Sequence, residues 1–414
     1  MRSLAAVVLL SWAAPALAAP SPRWRFDFGS DGNAAGTVRV RPDDLYSDAR
    51  GYGFEPGSVP TAGRGFVTAL RPFAFSVAVP EGNYRVTLTL GDRHGDSVTT
   101  VKAESRRLML ESLRTRRGVA RAAITVNVRR PELPDGAAVA LKPREEGVLH
   151  WDRKLTLELA GERPALAALT IERVEDVVTV FLAGDSTVTD QPQEPWNSWG
   201  QMLPRFFGPA VAIANHAESG ETMRAFLAER RLDKIFSVAR PGDWLFVQFG
   251  HNDMKPGPNH LDAFTTYQEH LRLFVARARA AGMTPVLVTS VNRRTFGADG
   301  RVENSLLDYP EAVRQVARQD GIALVDLHAA TRAFYEALGP ERSARAFVDG
   351  SHHNAYGSYE IARCVVEGIR AARLGLARLL RKDAGRFDPA RPDDPDAFAV
   401  PPSAARTEAA PEGR

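Results

Sequence analysis

The chain has 414 residues, of which 44% are hydrophobic and 25% are charged, and its formal net charge is +3. This composition indicates a globular protein large enough for two domains and excludes a chain that is mostly disordered. Lysines and arginines are interspersed with acidic residues instead of forming one basic stripe, so we expect no nucleic-acid partner.

The first 18 residues have the pattern of a secretory signal. Arg2 precedes the apolar run Leu4–Leu10 and the sequence Ala16-Leu17-Ala18, after which cleavage is expected, leaving a net charge near +2. The apolar run is too short to span a bilayer, and no later stretch reaches about 18 apolar residues, so we expect no membrane partner. An uncleaved anchor is the less favoured alternative. We therefore predict an exported protein, either periplasmic or extracellular.

Residues 22–173 show short runs of alternating hydrophobicity that are separated by glycine and proline. The predicted strands are Phe73–Val79, Tyr84–Leu90, Ala123–Val128 and Lys154–Leu159. The turn sequence between the first two of these predicts a β-hairpin. Many short strands of this kind favour an antiparallel β-sandwich. Its opening aromatic residues could stack on sugars, but we favour a role in the hydrophobic core.

From about Val174 to residue 385, apolar runs alternate with helical patterns, which predicts an α/β domain. The predicted strands are Val177–Ala183, Ala210–Ala214, Trp244–Phe249, Thr284–Ser290 and Ile322–Leu327. The predicted helices are Trp199–Phe206, Thr222–Arg231, Tyr267–Ala281, Tyr309–Asp320, Ala329–Leu338 and Tyr356–Leu380. Apolar strands with intervening helices predict a three-layer, doubly wound parallel sheet. Residues 386–414 are rich in proline and charge, which predicts a flexible tail.

Four polar motifs follow elements of this second domain, in places where a parallel sheet binds its ligands. They are Gly184-Asp185-Ser186, the segment Asn215–Thr222, Gly250-His251-Asn252-Asp253 and the segment Asp349–Asn354. A single motif is weak evidence, and Ser186 alone would be better explained as a helix cap. Four motifs in order at one edge of one sheet predict an active site.

The residue types in these motifs suggest acyl transfer. Ser186 is the candidate nucleophile, His352 the candidate base, and Asp349 lies three residues before His352, where it can orient the imidazole ring. The candidate oxyanion donors are the backbone N–H groups of Ser186 and Gly220 and the side-chain amide of Asn252.

These motifs resemble blocks I, II, III and V of the SGNH (GDSL-like) hydrolases. The longer sequences GDSTVTDQ, NHAESGET, FGHNDMK, YPEAVRQVA and VDGSHHNAYG resemble the rhamnogalacturonan acetylesterase branch. The opening FDFG, LYS and RGYGFE resembles the galactose-binding-like sandwich that precedes some members. The resemblance implies a flavodoxin-like fold and removal of acetyl groups from plant cell-wall polysaccharide through an acetyl-serine intermediate, without metal or cofactor.

Substrate contacts are predicted with less support. Trp196 and His251 follow or lie within the motifs, and Arg293 and Arg294 occupy a long loop after the fourth strand of the domain. Two guanidinium groups could pair with the uronate carboxylates of an acidic polysaccharide, although a solvated basic loop is an equal alternative. The spacing favours His352 over His353 as the base.

Two other functions stay open at this point. A lipid or thioester hydrolase could use the same scaffold, and it would need an apolar acyl tunnel. A non-catalytic polysaccharide-binding protein would keep the fold without the chemistry, and the complete set of candidate catalytic residues argues against it. The sequence does not determine the polymer, the hydroxyl group or the oligomeric state.

Overall fold

The computed structural model describes residues 23–29 and 35–412. The predicted signal segment, residues 1–18, lies outside these ranges. Across the described ranges, no helix combines the length and the hydrophobicity that crossing a membrane requires.

The first domain contains two β-sheets. Its strands are β1 (Arg23–Asp27), β2 (Val38–Arg39), β3 (Tyr52–Phe54), β4 (Thr61–Ala62), β5 (Val67–Thr68), β6 (Phe73–Ala78), β7 (Gly82–Asp92), β8 (Ser97–Ala103), β9 (Arg107–Thr115), β10 (Gly118–Val128), β11 (Lys154–Ala160) and β12 (Leu166–Val174). One sheet has the order β10-β7-β12-β1-β2, with β5 beside β12 and β4 beside β5, and the other has the order β3-β6-β11-β8-β9. Neighbouring strands run antiparallel except β1 and β2.

One hydrophobic core joins the two sheets. Alternate residues of β7, from Tyr84 to Leu90, are fully buried and belong to the same cluster as Phe75 of β6. The Phe26 ring of β1 meets the Phe75 ring edge-on, with 5.2 Å between centroids. Each such buried side chain contributes about 1.5–3 kcal/mol. The opening aromatics Phe26 and Phe54 are therefore core residues.

The predicted hairpin of β6 and β7 is wrong. Strand β6 pairs with β11 and β3, whereas β7 pairs with β10 and β12 in the other sheet. The turn at residues 80–83 carries the chain from one sheet to the other, and the Tyr84 hydroxyl donates to the Pro80 carbonyl at 2.7 Å. Both strands turn alternate side chains into the same core, so their hydrophobic pattern is the same whether they pair or face each other.

The second domain is built on a five-stranded sheet in which every pair is parallel. Its strands are β13 (Val178–Gly184), β14 (Val211–Asn215), β15 (Trp244–Gln248), β16 (Thr284–Val288) and β17 (Ala323–Val325). The order β14-β13-β15-β16-β17 reverses direction at β13. Ligands of doubly wound folds bind beyond the carboxyl ends of the strands at such a reversal.

Helices cover both faces of this sheet. They are α1 (Trp199–Met202), α2 (Met223–Ala228), α3 (Arg231–Val238), α4 (Thr266–Ala280), α5 (Tyr309–Asp320), α6 (Leu327–Arg342) and α7 (Ala355–Ala371). Short 3₁₀ helices span Pro143–Glu145, Leu203–Phe206, Ser343–Ala346, Gly375–Leu379, Lys382–Ala384 and Pro395–Ala397. Val180 and Leu182 of β13 pack in one cluster with α1, α6 and α7, whereas Phe181 and Ala183 pack in another with α2 to α5. The domain therefore has three layers, as predicted.

Two predicted helices end earlier than their hydrophobic pattern. The predicted helix Tyr356–Leu380 stops at Ala371, because Arg373 adopts a left-handed conformation with φ of 53°. The predicted helix Thr222–Arg231 is divided into α2 and α3 by Arg230, which has φ of 62°. Left-handed residues cannot continue a right-handed helix, and a non-glycine residue in this conformation has no clear sequence signal.

The C-terminal residues do not form the predicted flexible tail over the described range 386–412. The Phe398 ring packs against the rings of Tyr356 and Tyr359. Ser403 is buried, and its hydroxyl contacts Glu158 at 2.7 Å and the Lys102 ammonium at 2.8 Å. Hydrogen bonds and a few apolar contacts with the two domains order this segment, although its composition alone favours disorder.

Candidate active site

The Gly184-Asp185-Ser186 motif forms a tight turn at the carboxyl end of β13. The backbone N–H groups of Val188 and Thr189 both donate to the Asp185 carbonyl, at 3.0 and 3.1 Å. The Asp185 carboxylate accepts from the backbone N–H and the hydroxyl of Thr187, at 2.9 and 2.8 Å. These bonds fix the turn that presents Ser186.

The structure brings Ser186, His352 and Asp349 together. The Ser186 Oγ lies 3.0 Å from His352 Nε2, and His352 Nδ1 lies 2.9 Å from Asp349 Oδ2. Ser186 and His352 are buried. This is the geometry in which an imidazole can accept the serine proton while a carboxylate holds the ring.

The loop around Asp349 is organised by that carboxylate. The other oxygen of Asp349 accepts from the backbone N–H groups of Ser351 and His352, both at 2.7 Å. Burial alone would raise the pKa of Asp349, but the hydrogen bonds from the His352 ring and from these two N–H groups outweigh it and hold the pKa well below its usual range. Asp349 therefore stays ionised and can stabilise a protonated imidazole.

We expect the Asp349→Asn variant to reveal this lowered pKa as a pH-dependent loss of stability. A carboxyl with a folded-state pKa below its unfolded value of about 3.9 stabilises the fold above that pH, and the contribution disappears as pH falls through the folded pKa. Urea unfolding should show a constant difference from wild type near neutral pH and a shrinking difference below about pH 4. Asp262→Asn, at an exposed carboxylate, is the control. A difference that grows on acidification would contradict the assignment.

Gly220 and Asn252 occupy two neighbouring loops of the same edge. The Asn252 side-chain amide donates to the Glu221 carbonyl at 3.0 Å, and Lys255 donates to the Asn252 Oδ1 at 3.1 Å. Gln191 links the loop that contains Gly220 to the nucleophile. Its side-chain amide donates to the Ser186 carbonyl at 3.1 Å and to the Ser219 hydroxyl at 3.2 Å. Gly220 has φ of 77°, a conformation that favours glycine.

Asp253 ties these loops to one another. Its two carboxylate oxygens accept from the backbone N–H groups of Met223 and Gly250, each at 2.9 Å. Burial raises the pKa of Asp253 to about 7. Asp253 was not singled out from the sequence, although it stands next to Asn252 in the same motif.

His353 and His251 are both engaged by the protein. The Nε2 of His353 lies 2.7 Å from the Tyr335 hydroxyl, and burial lowers the pKa of His353 to about 3. His251 places Nδ1 3.3 Å from Asp185 and Nε2 3.0 Å from the Val291 carbonyl. Because both of its ring nitrogens have protein partners, the predicted substrate contact of His251 is not supported, and the residue instead braces two loops.

Trp196, a predicted substrate contact, lies beside the relay. Its ring meets the His352 ring edge-on at 5.7 Å, and it lines a cleft of about 390 Å³. The walls of the cleft combine polar and charged side chains, among them Arg144 and Gln191, with apolar ones such as Val148 and Pro411.

Arg293 and Arg294 do not form a pair that faces the cleft. The Arg293 guanidinium donates to the carbonyl oxygens of His251 and Ser305, both at 3.2 Å, so the predicted substrate contact is not supported for this residue. Arg294 donates its backbone N–H to the Gly350 carbonyl at 2.8 Å. Both arginines therefore support the loops around the site.

Among the described residues, Glu145, His150 and Glu218 have potential metal-ligand atoms within 4.8 Å of one another. The Glu145 carboxylate, however, accepts from the Arg231 guanidinium at 2.9 Å. Glu218 accepts from Arg144 at 2.8 Å. Guanidinium groups already neutralise these carboxylates, so the cluster does not fit a metal cation.

Part of the site comes from the first domain, and its residues were not predicted from the sequence. Arg106, in the turn between β8 and β9, donates to the carbonyl oxygens of Gln191 and Trp196, at 3.0 and 2.9 Å. Lys142 donates to the Ser219 carbonyl at 2.9 Å. These residues lie 77 to 90 positions from their partners along the chain, and no local pattern marks them.

Comparison with known proteins agrees with this geometry. The GDSL-like Lipase/Acylhydrolase family model matches residues 182–358. Rhamnogalacturonan acetylesterase RhgT of Bacillus subtilis is 40% identical over 216 residues, which cover 48% of this chain and 92% of that protein. The uncharacterized esterase YxiM of the same organism is 28% identical over 381 residues, covering 86% of this chain and 92% of that one.

The crystal structure of YxiM from Bacillus subtilis aligns with 86% of this chain and 99% of its own, at 25% identity and a TM-score of 0.48. The family-model match includes the Ser186 motif and the Gly250–Asp253 motif. The chain therefore belongs to the GDSL-like lipase/acylhydrolase family, in the branch that contains the rhamnogalacturonan acetylesterases.

Proposed function

We propose that this chain is an exported serine esterase that removes O-acetyl groups from plant cell-wall polysaccharide. Membership of the family makes it a carboxylic ester hydrolase. The observation that supports the serine mechanism is the continuous hydrogen-bonded relay from Ser186 through His352 to Asp349, at 3.0 and 2.9 Å.

In the proposed reaction, the Ser186 oxygen attacks the acetyl carbonyl carbon while His352 Nε2 accepts the hydroxyl proton. Asp349 stabilises the resulting imidazolium. The tetrahedral oxyanion is held by the backbone N–H groups of Ser186 and Gly220 and by the Asn252 amide, each worth about 10²–10³ in turnover. Collapse breaks the bond to the sugar oxygen, which takes the proton from His352 and leaves acetyl-serine.

Deacetylation of the enzyme reverses these roles. A water molecule gives a proton to His352 and attacks the acetyl carbon, and the second tetrahedral intermediate expels the Ser186 oxygen. His352 returns its proton to that oxygen, and acetate leaves. His352 returns each proton that it accepts in this cycle, first to the sugar oxygen and then to the Ser186 oxygen.

Pectic rhamnogalacturonan is the proposed substrate, with acetylated xylan as the alternative polymer. The support is the name of the relative that is 40% identical and the polar and charged side chains that line part of the cleft beside Trp196. A lipid or thioester hydrolase would need an apolar acyl channel, and this cleft is lined by charged residues such as Arg144 and Glu218. For the first domain, we propose a β-sandwich of galactose-binding type.

The test is a panel of acetylated rhamnogalacturonan, acetylated xylan and p-nitrophenyl esters of increasing chain length. We expect acetate release to be fastest from rhamnogalacturonan. Rates on the synthetic esters should fall at least about tenfold from acetyl to octanoyl, because a long acyl chain would cover charged side chains that line the cleft, such as Arg144 and Glu218. Rates that rise with chain length would favour the lipid hydrolase instead.

A further inference from the structure

Two cations of the first domain meet at one carbonyl oxygen of the second. Lys142 Nζ donates to the Ser219 carbonyl at 2.9 Å, and the Arg144 guanidinium donates to the same oxygen. Both cations come from the segment that precedes and forms the 3₁₀ helix Pro143–Glu145. A single hydrogen bond is enough to satisfy a backbone carbonyl oxygen, but this oxygen accepts from two positively charged groups.

That carbonyl belongs to the same peptide group as the Gly220 N–H. A trans peptide is planar, and its C=O and N–H point in opposite directions. Fixing the Ser219 oxygen toward the first domain therefore fixes the Gly220 N–H on the opposite side of the peptide plane. Gln191 bridges Ser186 and Ser219, which places this peptide beside the nucleophile.

The orientation of this peptide needs to be held. Gly220 has φ of 77°, and a glycine can exchange this conformation for one with negative φ at little cost. A rotation of the Ser219–Gly220 peptide would turn the N–H away from the oxyanion. The two cations that are bonded to the Ser219 carbonyl oppose that rotation. They also polarise the amide, so that its N–H is a stronger donor.

Ion pairs with buried carboxylates hold the two cations in place. Arg144 pairs with Glu218 at 2.8 Å, and Lys142 pairs with the fully buried Glu221. Glu145, next to Arg144, accepts from Arg231 Nη1 at 2.9 Å, and Arg231 is itself completely buried. Charge pairs of this kind are costly to break from one side, so they oppose separation of the loop from the first domain.

The second amide donor of the site shows the same arrangement. Lys255 donates to the Asn252 Oδ1 at 3.1 Å, and the Asn252 amide N–H group bonds to the Glu221 carbonyl. The ammonium fixes which end of the side chain is the donor. Each of the two amides that we propose as oxyanion donors therefore has a cation bonded to its carbonyl oxygen.

We propose that Lys142 and Arg144 are positioning residues for catalysis, through which the first domain orients and polarises the Gly220 N–H. This inference rests on the proposed function, because it takes that N–H as an oxyanion donor. It also makes the first domain part of the catalytic unit and not only a neighbour.

The test uses the full chain and two variants. Lys142→Met combined with Arg144→Met removes both cations. Lys142→Met combined with Glu221→Gln removes one cation without leaving a buried carboxylate unpaired, so it protects the test against misfolding. We expect kcat on p-nitrophenyl acetate to fall about 10–100-fold in the first variant, a fraction of the loss of a whole oxyanion donor, with KM little changed.

Affinity for methylboronic acid, which forms a tetrahedral adduct on a serine, separates positioning from simple stability. In the first variant, we expect this affinity to fall in parallel with kcat/KM. Arg144→Lys keeps a cation at this position and should therefore retain most of the wild-type affinity and kcat/KM. Arg205→Gln is the matched control, because Arg205 makes a comparable interdomain pair with Glu111 at 2.8 Å and does not contact the 218–221 loop. It should behave as wild type.

The outcomes are distinct. Wild-type kcat and boronate affinity in a folded first variant would overturn this inference and leave the proposed function intact. Equal losses in Arg205→Gln, accompanied by a lower Tm, would reduce the effect to interdomain stability and also overturn it. A wild-type protein that neither hydrolyses acetyl esters nor binds the boronate would overturn the proposed function, and this inference with it.

Discussion

The Ser186→Ala variant is expected to lose acetate release by about 10⁴–10⁶-fold while it keeps its fold. The hydroxyl oxygen is the atom on which we propose that the acetyl intermediate forms, and it lies 3.0 Å from His352 Nε2. Removing one oxygen from a buried side chain leaves the hydrogen bonds of the turn in place, since these come from Asp185. Steady-state acetate release and the far-ultraviolet circular dichroism spectrum measure the two parts of this prediction.

Ser358→Ala is the matched control for that variant. Ser358 is also a buried serine, but it lies within α7 and not at a strand end. The control should keep wild-type turnover. Substantial acetate release by Ser186→Ala, at more than a few per cent of wild type, would rule out Ser186 as the nucleophile.

The second large effect is expected when the two adjacent histidines are replaced one at a time. His352→Gln should lose about 10⁴-fold or more in kcat, because the relay then has no group that can take the serine proton. His353→Gln should keep kcat within about tenfold of wild type and lower the Tm, because His353 is buried in contact with Tyr335 and Phe347.

Steady-state kinetics and thermal unfolding of both variants test this assignment. If His353→Gln lost as much activity as His352→Gln while keeping its Tm, the base would have been misassigned. The two residues are neighbours in sequence with the same chemistry, so this comparison controls for local disruption of the loop.

The sequence predicts the second domain well because its local and long-range signals agree. Apolar strands such as β13 alternate with amphipathic helices such as α5, and right-handed crossovers leave few arrangements for them. The first domain was predicted less well. The hydrophobic pattern of β6 and β7 identified the strands but could not assign each to its sheet, because both sheets share one core.

The relay was predictable for a physical reason. Parallel strands end at one edge, so polar residues that follow them, such as Ser186, converge there whatever their separation in sequence. Asp349 and His352 lie three residues apart in one turn, so their contact could be predicted from their spacing in the sequence. Lys142 and Arg106 reach the same site from another domain, and such contacts depend on how the two domains pack.

The C-terminal residues illustrate the same limit. Their composition predicts disorder, and only the described structure shows Ser403 buried between Lys102 and Glu158. Partners that lie hundreds of residues away supply the order. Composition measures what a segment can bury by itself and does not measure what the rest of the chain offers it.

The most direct test of the proposed mechanism is covalent labelling with a serine-directed organophosphonate, followed by mass-spectrometric localisation of the adduct. We predict one adduct, on Ser186, whose formation is stoichiometric with the loss of acetate release and is strongly slowed in Asp349→Asn. An adduct on another residue, or full activity in protein whose Ser186 is completely labelled, would contradict it.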